Sequence, residues 1–149
     1  MEKFTDIRTI VVAVFGLVGS IITKLLGGWD KGLQVLLTFM AVDYILGLIV
    51  AGVYKKSPKS DTGGLNSRAG WKGIVKKVIT LLMVLLGSQL DILLGVDYIR
   101  IGLIFALIFD ESISIVENYG LTGRKVPGVL VNALDILRKK GEANVDSNR

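Results

Sequence analysis

The chain has 149 residues, of which 51% are apolar and 21% are charged, and its mean hydropathy is +0.58. Its 18 Lys and Arg exceed its 13 Asp and Glu, so the formal net charge is +5. Cys and His are absent, which excludes disulfides, thiol nucleophiles, zinc sites of the usual kind and histidine acid–base chemistry.

The apolar residues form long runs rather than short periodic bursts. Four runs are each close to the ~20 residues that cross a ~30 Å hydrocarbon layer, at about residues 10–26, 33–54, 74–94 and 99–116. They predict an all-α membrane protein with about four transmembrane helices in two hairpins. Charges interrupt the last two runs, so the alternative for them is a re-entrant hairpin or a pair of helices that enter the membrane only to a shallow depth.

A polar, basic loop joins the two predicted hairpins between Tyr54 and Lys77. Lys and Arg beside a spanning segment resist translocation, so this loop is expected on the cytoplasmic side. If both termini are cytoplasmic as well, fifteen Lys and Arg lie on the cytoplasmic side and three lie on the outer side. The cations of the loop, which we expect to set topology and contact anionic headgroups, are Lys55, Lys56, Lys59, Arg68, Lys72, Lys76 and Lys77.

The last segment, residues 127–149, is predicted to be an amphipathic helix with a cytoplasmic tail, following a transmembrane domain of residues 1–126. Pro127 suits the start of a helix, and apolar residues such as Val129 and Leu137 fall on one side. Further headgroup contacts are expected from Arg138, Lys139 and Lys140 near its end.

Asp43 lies near the middle of the second apolar run, where an ionised carboxylate costs about 2.5–3.5 kcal/mol on insertion scales. Gly47 and Ala51 share its helix face, and this small-residue spacing lets another helix approach closely. The acid therefore makes a polar contact within the chain, makes one between copies, or faces water.

The fourth run ends in a second polar group. On a helix, its members fall within roughly a 120° arc, which needs water, headgroups or a polar partner; they are Asp110, Glu111, Ser114, Glu117 and Asn118. This stripe is either a helix emerging into the cytoplasm or the wall of a pore or assembly surface. Asp91 is close enough to Arg100 across a short turn to predict an ion pair, and Asp97 competes for the same guanidinium.

Enzyme activity is not expected. Asp110 and Glu111 are adjacent and point about 100° apart on a helix, so they cannot flank one bond as a catalytic pair does. Gly63-Gly64 lacks the spacing of a phosphate-binding loop. We expect no cofactor, no metal and no nucleic-acid partner.

Four short motifs, read in order, resemble the phage-lysis and toxin-secretion holin family. They are Asp43-Tyr44-x-x-Gly47; Ser67-Arg68-x-Gly70-x-x-Gly73 with Lys76-Lys77; Glu111-Ser112-Ile113-Ser114-Ile115-x-Glu117-Asn118; and Gly123-x-x-Val126-Pro127. The resemblance covers about Met40 to Leu137, and the first apolar run carries none of it.

The resemblance implies a multi-pass protein of the bacterial cytoplasmic membrane that oligomerises and opens timed lesions. Its partners would be further copies of itself and membrane lipids. The cargo would be a cell-wall hydrolase or a large toxin, which the protein need not bind. We hypothesise that Asp43 senses the membrane potential while Glu111 and Glu117 line the inner mouth. The alternatives are a small multi-span transporter or channel subunit, or an antiholin-like membrane regulator.

Overall fold

The computed structural model describes residues 2–146 of the chain, with side chains for residues 6–140. Within that part the secondary structure is entirely helical, which confirms the predicted all-α class. The helices are α1 (Glu2–Leu25), α2 (Lys31–Ile49), which continues into a π-helical turn (Val50–Tyr54), α3 (Ser67–Leu94), α4 (Ile99–Leu121) and α5 (Gly128–Asp146).

Three of these segments are long and apolar enough to cross a membrane. They span residues 6–25, 31–54 and 67–94, and they match the first three predicted runs. The third starts earlier than its run because Asn66 caps α3, its Oδ1 accepting the backbone N–H of Arg68 at 2.9 Å. The remaining run forms α4, which carries Arg100, Asp110, Glu111 and Glu117 along its length, and its crossing of the membrane stays a prediction.

The fourth helix, α4, is the centre of the bundle. It packs against α2, α3 and α5, whereas α1 contacts α3 alone among the helices within the described part of the chain. The buried core lies between α2, α3 and α4, and its members are Leu26, Leu33, Leu36, Met40, Val84, Ile104 and Ile108. Gly87 lets α3 approach α4 closely, since a Cβ there would lie 2.6 Å from Leu103 Cδ1 and 3.1 Å from Arg100 Cα.

The first helix lies beside this bundle rather than in it. From Asp6 to Leu25 no residue is buried, and large apolar side chains are exposed around the whole circumference. Contact of such an apolar surface with lipid carries no free-energy cost, whereas its exposure to water is unfavourable. The end of α1 is tied to the bundle where Leu25 O accepts a hydrogen bond from Gln89 Nε2 at 3.4 Å.

Arg100 clips the turn between α1 and α2 to the start of α4. Its Nε donates to Leu26 O at 2.5 Å, its Nη2 to Gly28 O at 3.2 Å, and its Nη1 pairs with Asp30 Oδ2 at 2.5 Å. Asp30 also caps α2 by accepting from Leu33 N at 2.8 Å. The guanidinium hydrogen bond holds the pKa of Asp30 below its usual value, against the opposing effect of burial.

The predicted ion pair between Asp91 and Arg100 is wrong. The Asp91 carboxylate instead accepts two backbone N–H groups at the start of α4, from Ile99 at 2.9 Å and from Arg100 at 3.0 Å. Those donors have no partner within the helix, so a carboxylate satisfies them well. The guanidinium is thereby left to reach the α1–α2 turn.

The last helix, α5, is amphipathic as predicted, but its apolar residues divide between two surroundings. Leu134 and Leu137 are half-buried, and Leu137 packs against the core cluster. Val129 and Ile136 are exposed. Lys139 and Lys140 are exposed too. Part of the apolar face therefore docks on the bundle, through α4, and the rest stays open.

Gly27 and Gly28 provide a matched test of the clip. Both have a positive φ (88° and 96°), so Ala at either position strains the backbone by about 1–2 kcal/mol. A Cβ at Gly27 would also lie 2.6 Å from Arg100 Nε, whereas one at Gly28 meets nothing within 4 Å. We therefore expect Gly27→Ala to lower the unfolding temperature in detergent more than Gly28→Ala. Equal losses would show that the clip contributes nothing.

Candidate functional site

Three charged side chains from three helices meet inside the bundle. Lys77 of α3 donates from Nζ to Asp43 Oδ2 of α2 at 2.6 Å and to Glu111 Oε2 of α4. Asp43 is 5% exposed and Glu111 is 2% exposed. We call this arrangement of Asp43, Lys77 and Glu111 the charge bridge.

Two polar groups of α4 complete the surroundings of Asp43. Asn118 Nδ2 donates to Asp43 Oδ1 at 3.0 Å, and the Ser114 hydroxyl also interacts with this carboxylate. Within the described side chains, every buried polar atom has a hydrogen-bond partner. The charge bridge is therefore fully satisfied by the chain itself, which is the condition under which buried charge is tolerated.

The buried face of α3 explains why Lys77 points inward. Thr80, Val84, Gly87 and Asp91 are all buried, and their spacing of three or four residues follows one side of a helix. Lys77 lies seven residues before Val84 and so continues the same side. This helical spacing of small and polar residues is the signal in the sequence that distinguishes Lys77 from its neighbour Lys76, which is exposed.

The predicted close-packing face of α2 points to α4 of the same chain. Asp43 continues the buried series of Leu36 and Met40. At Gly47 a Cβ would lie 3.8 Å from Asn118 Nδ2, and Ala51 is buried. Among the alternatives left open by the sequence, the structure shows a polar contact within the chain.

The other candidate residues are dispersed. Asp110 and Glu117 are exposed, so the predicted polar stripe is divided, with Glu111 and Asn118 inside and these two outside. Asp91 lies in the opposite half of α3, at the Arg100 end. The cations of the loop other than Lys77 are all exposed, namely Lys55, Lys56, Lys59, Arg68, Lys72 and Lys76.

The chemistry available at the charge bridge is electrostatic. Two carboxylates share one ammonium, so the group carries a net charge of −1 when all three are ionised. In surroundings of low dielectric these attractions are much stronger than in water. In the part of the chain with described side chains, no group of three Asp or Glu could hold a metal ion.

The apolar spans with a charge bridge between them define the class of the protein, a small helical membrane protein. A model of the bacteriophage holin family matches residues 20–139. The chain belongs to the bacteriophage holin family. The match omits most of α1, in agreement with the absence of holin motifs from the first apolar run.

Individual relatives extend the similarity over most of the chain. An uncharacterised protein of Listeria monocytogenes is 38% identical over 89% of this chain and 91% of its own length. An uncharacterised protein of Clostridium perfringens is 36% identical over 82% and 86%. A protein of Bacillus phage phi105 named a probable holin is 26% identical over 81% and 84%. No solved structure matches the chain.

Lys77→Met tests whether the charge bridge holds the bundle together. The substitution leaves two buried carboxylates unpaired, and breaking a buried ion pair in this way costs about 3–5 kcal/mol. We expect that loss in the free energy of unfolding, measured by denaturant titration in mixed micelles. Lys76→Met, at the exposed neighbour, is the matched control and should change it by less than about 0.5 kcal/mol.

Removing the two acids as well should reverse most of the loss. In the triple variant Asp43→Asn, Lys77→Met, Glu111→Gln no charge remains unpaired, and replacing a whole buried ionic group by neutral residues is often close to neutral. A triple variant no more stable than Lys77→Met would contradict the electrostatic explanation and indicate a packing defect.

Proposed function

We propose that the protein is a holin that oligomerises in the bacterial cytoplasmic membrane. It then forms timed lesions through which a cell-wall hydrolase or a large toxin leaves the cell. Family membership and the relative named a probable holin support this proposal. The observation that carries it furthest is the charge bridge, because it gives an apolar bundle a polar interior.

The proposed topology has four spans, α1 to α4, with the basic loop and both termini in the cytoplasm. At 23 residues α4 is roughly 35 Å long, enough for a ~30 Å hydrocarbon layer. Two of its charges, Arg100 and Glu111, are paired within the bundle. The neighbouring helices shield these two charges from lipid, so they are compatible with crossing the membrane, whereas the exposed Asp110 and Glu117 lie from the midpoint of α4 onward.

The charge bridge supplies a route from the closed bundle to a lesion. While α2, α3 and α4 stay together, Lys77 is paired with both Asp43 and Glu111 away from lipid. When the helices separate, an ion left in hydrocarbon costs several kcal/mol, so the exposed charges favour a water-filled space. Copies assembling around that space would turn these side chains toward it.

The membrane potential can act on the same group. Moving one elementary charge across 100 mV changes the free energy by about 2.3 kcal/mol, and the charge bridge carries a net charge. Loss of the potential therefore removes an energy comparable to one buried polar interaction. This is the proposed link between depolarisation and the time of opening.

Induced expression tests the proposal. Cells that hold an accumulated wall hydrolase should lose membrane potential and optical density together and abruptly, because a lesion releases the enzyme. Cells with the chain alone should lose potential without lysing, and cells with the hydrolase alone should do neither. Leakage of one small solute only would indicate a transporter, and an intact potential would indicate a regulator.

Asp43→Asn tests the part played by the charge bridge. The amide cannot form an ion pair with Lys77, so the closed bundle is weakened and lysis should begin many minutes earlier at equal protein level. Asp61→Asn makes the same chemical change at an exposed position of the loop and should leave the timing unaltered. Lysis by Asp43→Asn at the unaltered time would remove Asp43 from the mechanism.

A further inference from the structure

A crevice opens beside the charge bridge, between α2, the loop that precedes α3 and the first half of α3. Its volume is about 70 Å³, enough for several water-sized groups. The carboxylate of Asp43 lies at its floor, and small residues such as Gly47, Ala69 and Gly73 leave the space open. A charged group can therefore approach from the polar loop.

Cations outnumber anions around this crevice. Lys59, Lys76 and Lys77 line it, whereas Asp43 is the only lining carboxylate, and Lys77 already holds that acid. Lys59 lies within electrostatic range of Asp43, but among the ion pairs described above neither Lys59 nor Lys76 takes part. Two lysines therefore line the crevice in addition to the one that pairs with Asp43, and this excess of positive charge makes its mouth a site for an anion.

An apolar groove continues from the crevice onto the outer surface of the bundle. Its volume is about 380 Å³, and its apolar walls are Leu48, Leu65, Trp71 and Ile74. Tyr44 lies between the two spaces and lines both. Trp71 is 66% exposed, and it lies where α3 passes from polar to apolar sequence, the depth that Trp favours in membranes.

We propose that this continuous surface binds one anionic phospholipid, with its phosphate between Lys59 and Lys76 and an acyl chain in the groove beside Trp71. A free phosphate ion would leave the groove empty, and a zwitterionic lipid brings no net charge to the two lysines. The site differs from the general attraction of a basic loop to headgroups because its charged and apolar parts adjoin. It is independent of lesion formation.

Lipid binding to the purified full chain tests this site. The chain is delipidated in a neutral detergent and titrated with phosphatidylglycerol, with phosphatidylcholine of the same acyl chains, or with glycerol 3-phosphate. Native mass spectrometry counts bound lipid, and thermal unfolding reports stabilisation, because a ligand that binds only the folded state raises its stability. We expect retention and stabilisation by phosphatidylglycerol alone. Equal effects of phosphatidylcholine or of glycerol 3-phosphate would overturn the proposal.

Two pairs of substitutions with equal change of charge locate the site. Lys59→Gln with Lys76→Gln should weaken phosphatidylglycerol binding at least tenfold. Lys55→Gln with Lys56→Gln removes the same charge from the same loop but outside the crevice, and should weaken it less than twofold. Equal weakening by both pairs would show a diffuse attraction to the loop and overturn the site.

The groove is tested separately by Gly70→Leu. Gly70 lines both the crevice and the groove, and a Cβ there would lie at an ordinary contact distance of 3.8 Å from Tyr44 Oη, so we expect the Leu side chain to reduce the space for the acyl chain. Binding should fall while the unfolding temperature of the lipid-free protein is retained. Unchanged binding would overturn the acyl part. Because the measurement is made in detergent, it does not depend on whether the chain forms lesions.

Discussion

The need to partner every charge inside an apolar bundle decides how this protein is built. Lys77 can pair with both Asp43 and Glu111 only if α2, α3 and α4 meet at one level. Glu111 and Asn118 of α4 are therefore buried in the middle of the bundle, where α2, α3 and α5 cover that helix. Many large apolar side chains face outward instead, and this is the arrangement expected of a protein whose solvent is lipid.

Polar contacts hold the bundle at both ends, with the apolar core between them. At one end Arg100 binds the α1–α2 turn and Asp91 caps the start of α4; at the other, the charge bridge joins three helices. Packing alone distinguishes poorly between helix neighbours in lipid, because lipid tails are as apolar as the side chains. Two separate polar clusters therefore fix which helices are neighbours and in what register.

Helix existence and approximate bounds could be predicted from the sequence, since runs of apolar residues, Pro127 and the Gly-rich turns mark them directly. The polar partners could not. Lys77 was grouped with the cations of the loop because membrane topology depends on such residues, yet its helix face places it inside. Asp91 and Arg100 were paired by proximity along the chain, whereas the backbone N–H groups of α4 and the distant Asp30 compete for them. Partners brought together by tertiary structure leave no mark in local spacing.

The odd number of charges in the bridge has a consequence for how the helices can part. One ammonium cannot follow two acids in different directions, so whichever helix leaves, a carboxylate loses its counterion inside the bilayer. If α2 moves away, Asp43 also loses the Asn118 amide, which belongs to α4. In the proposed opening of a lesion, partial separation is then the costliest state along the path, more costly than either the intact or the fully hydrated arrangement. A barrier of that shape would make the proposed opening abrupt and would keep the closed form silent until the barrier is crossed.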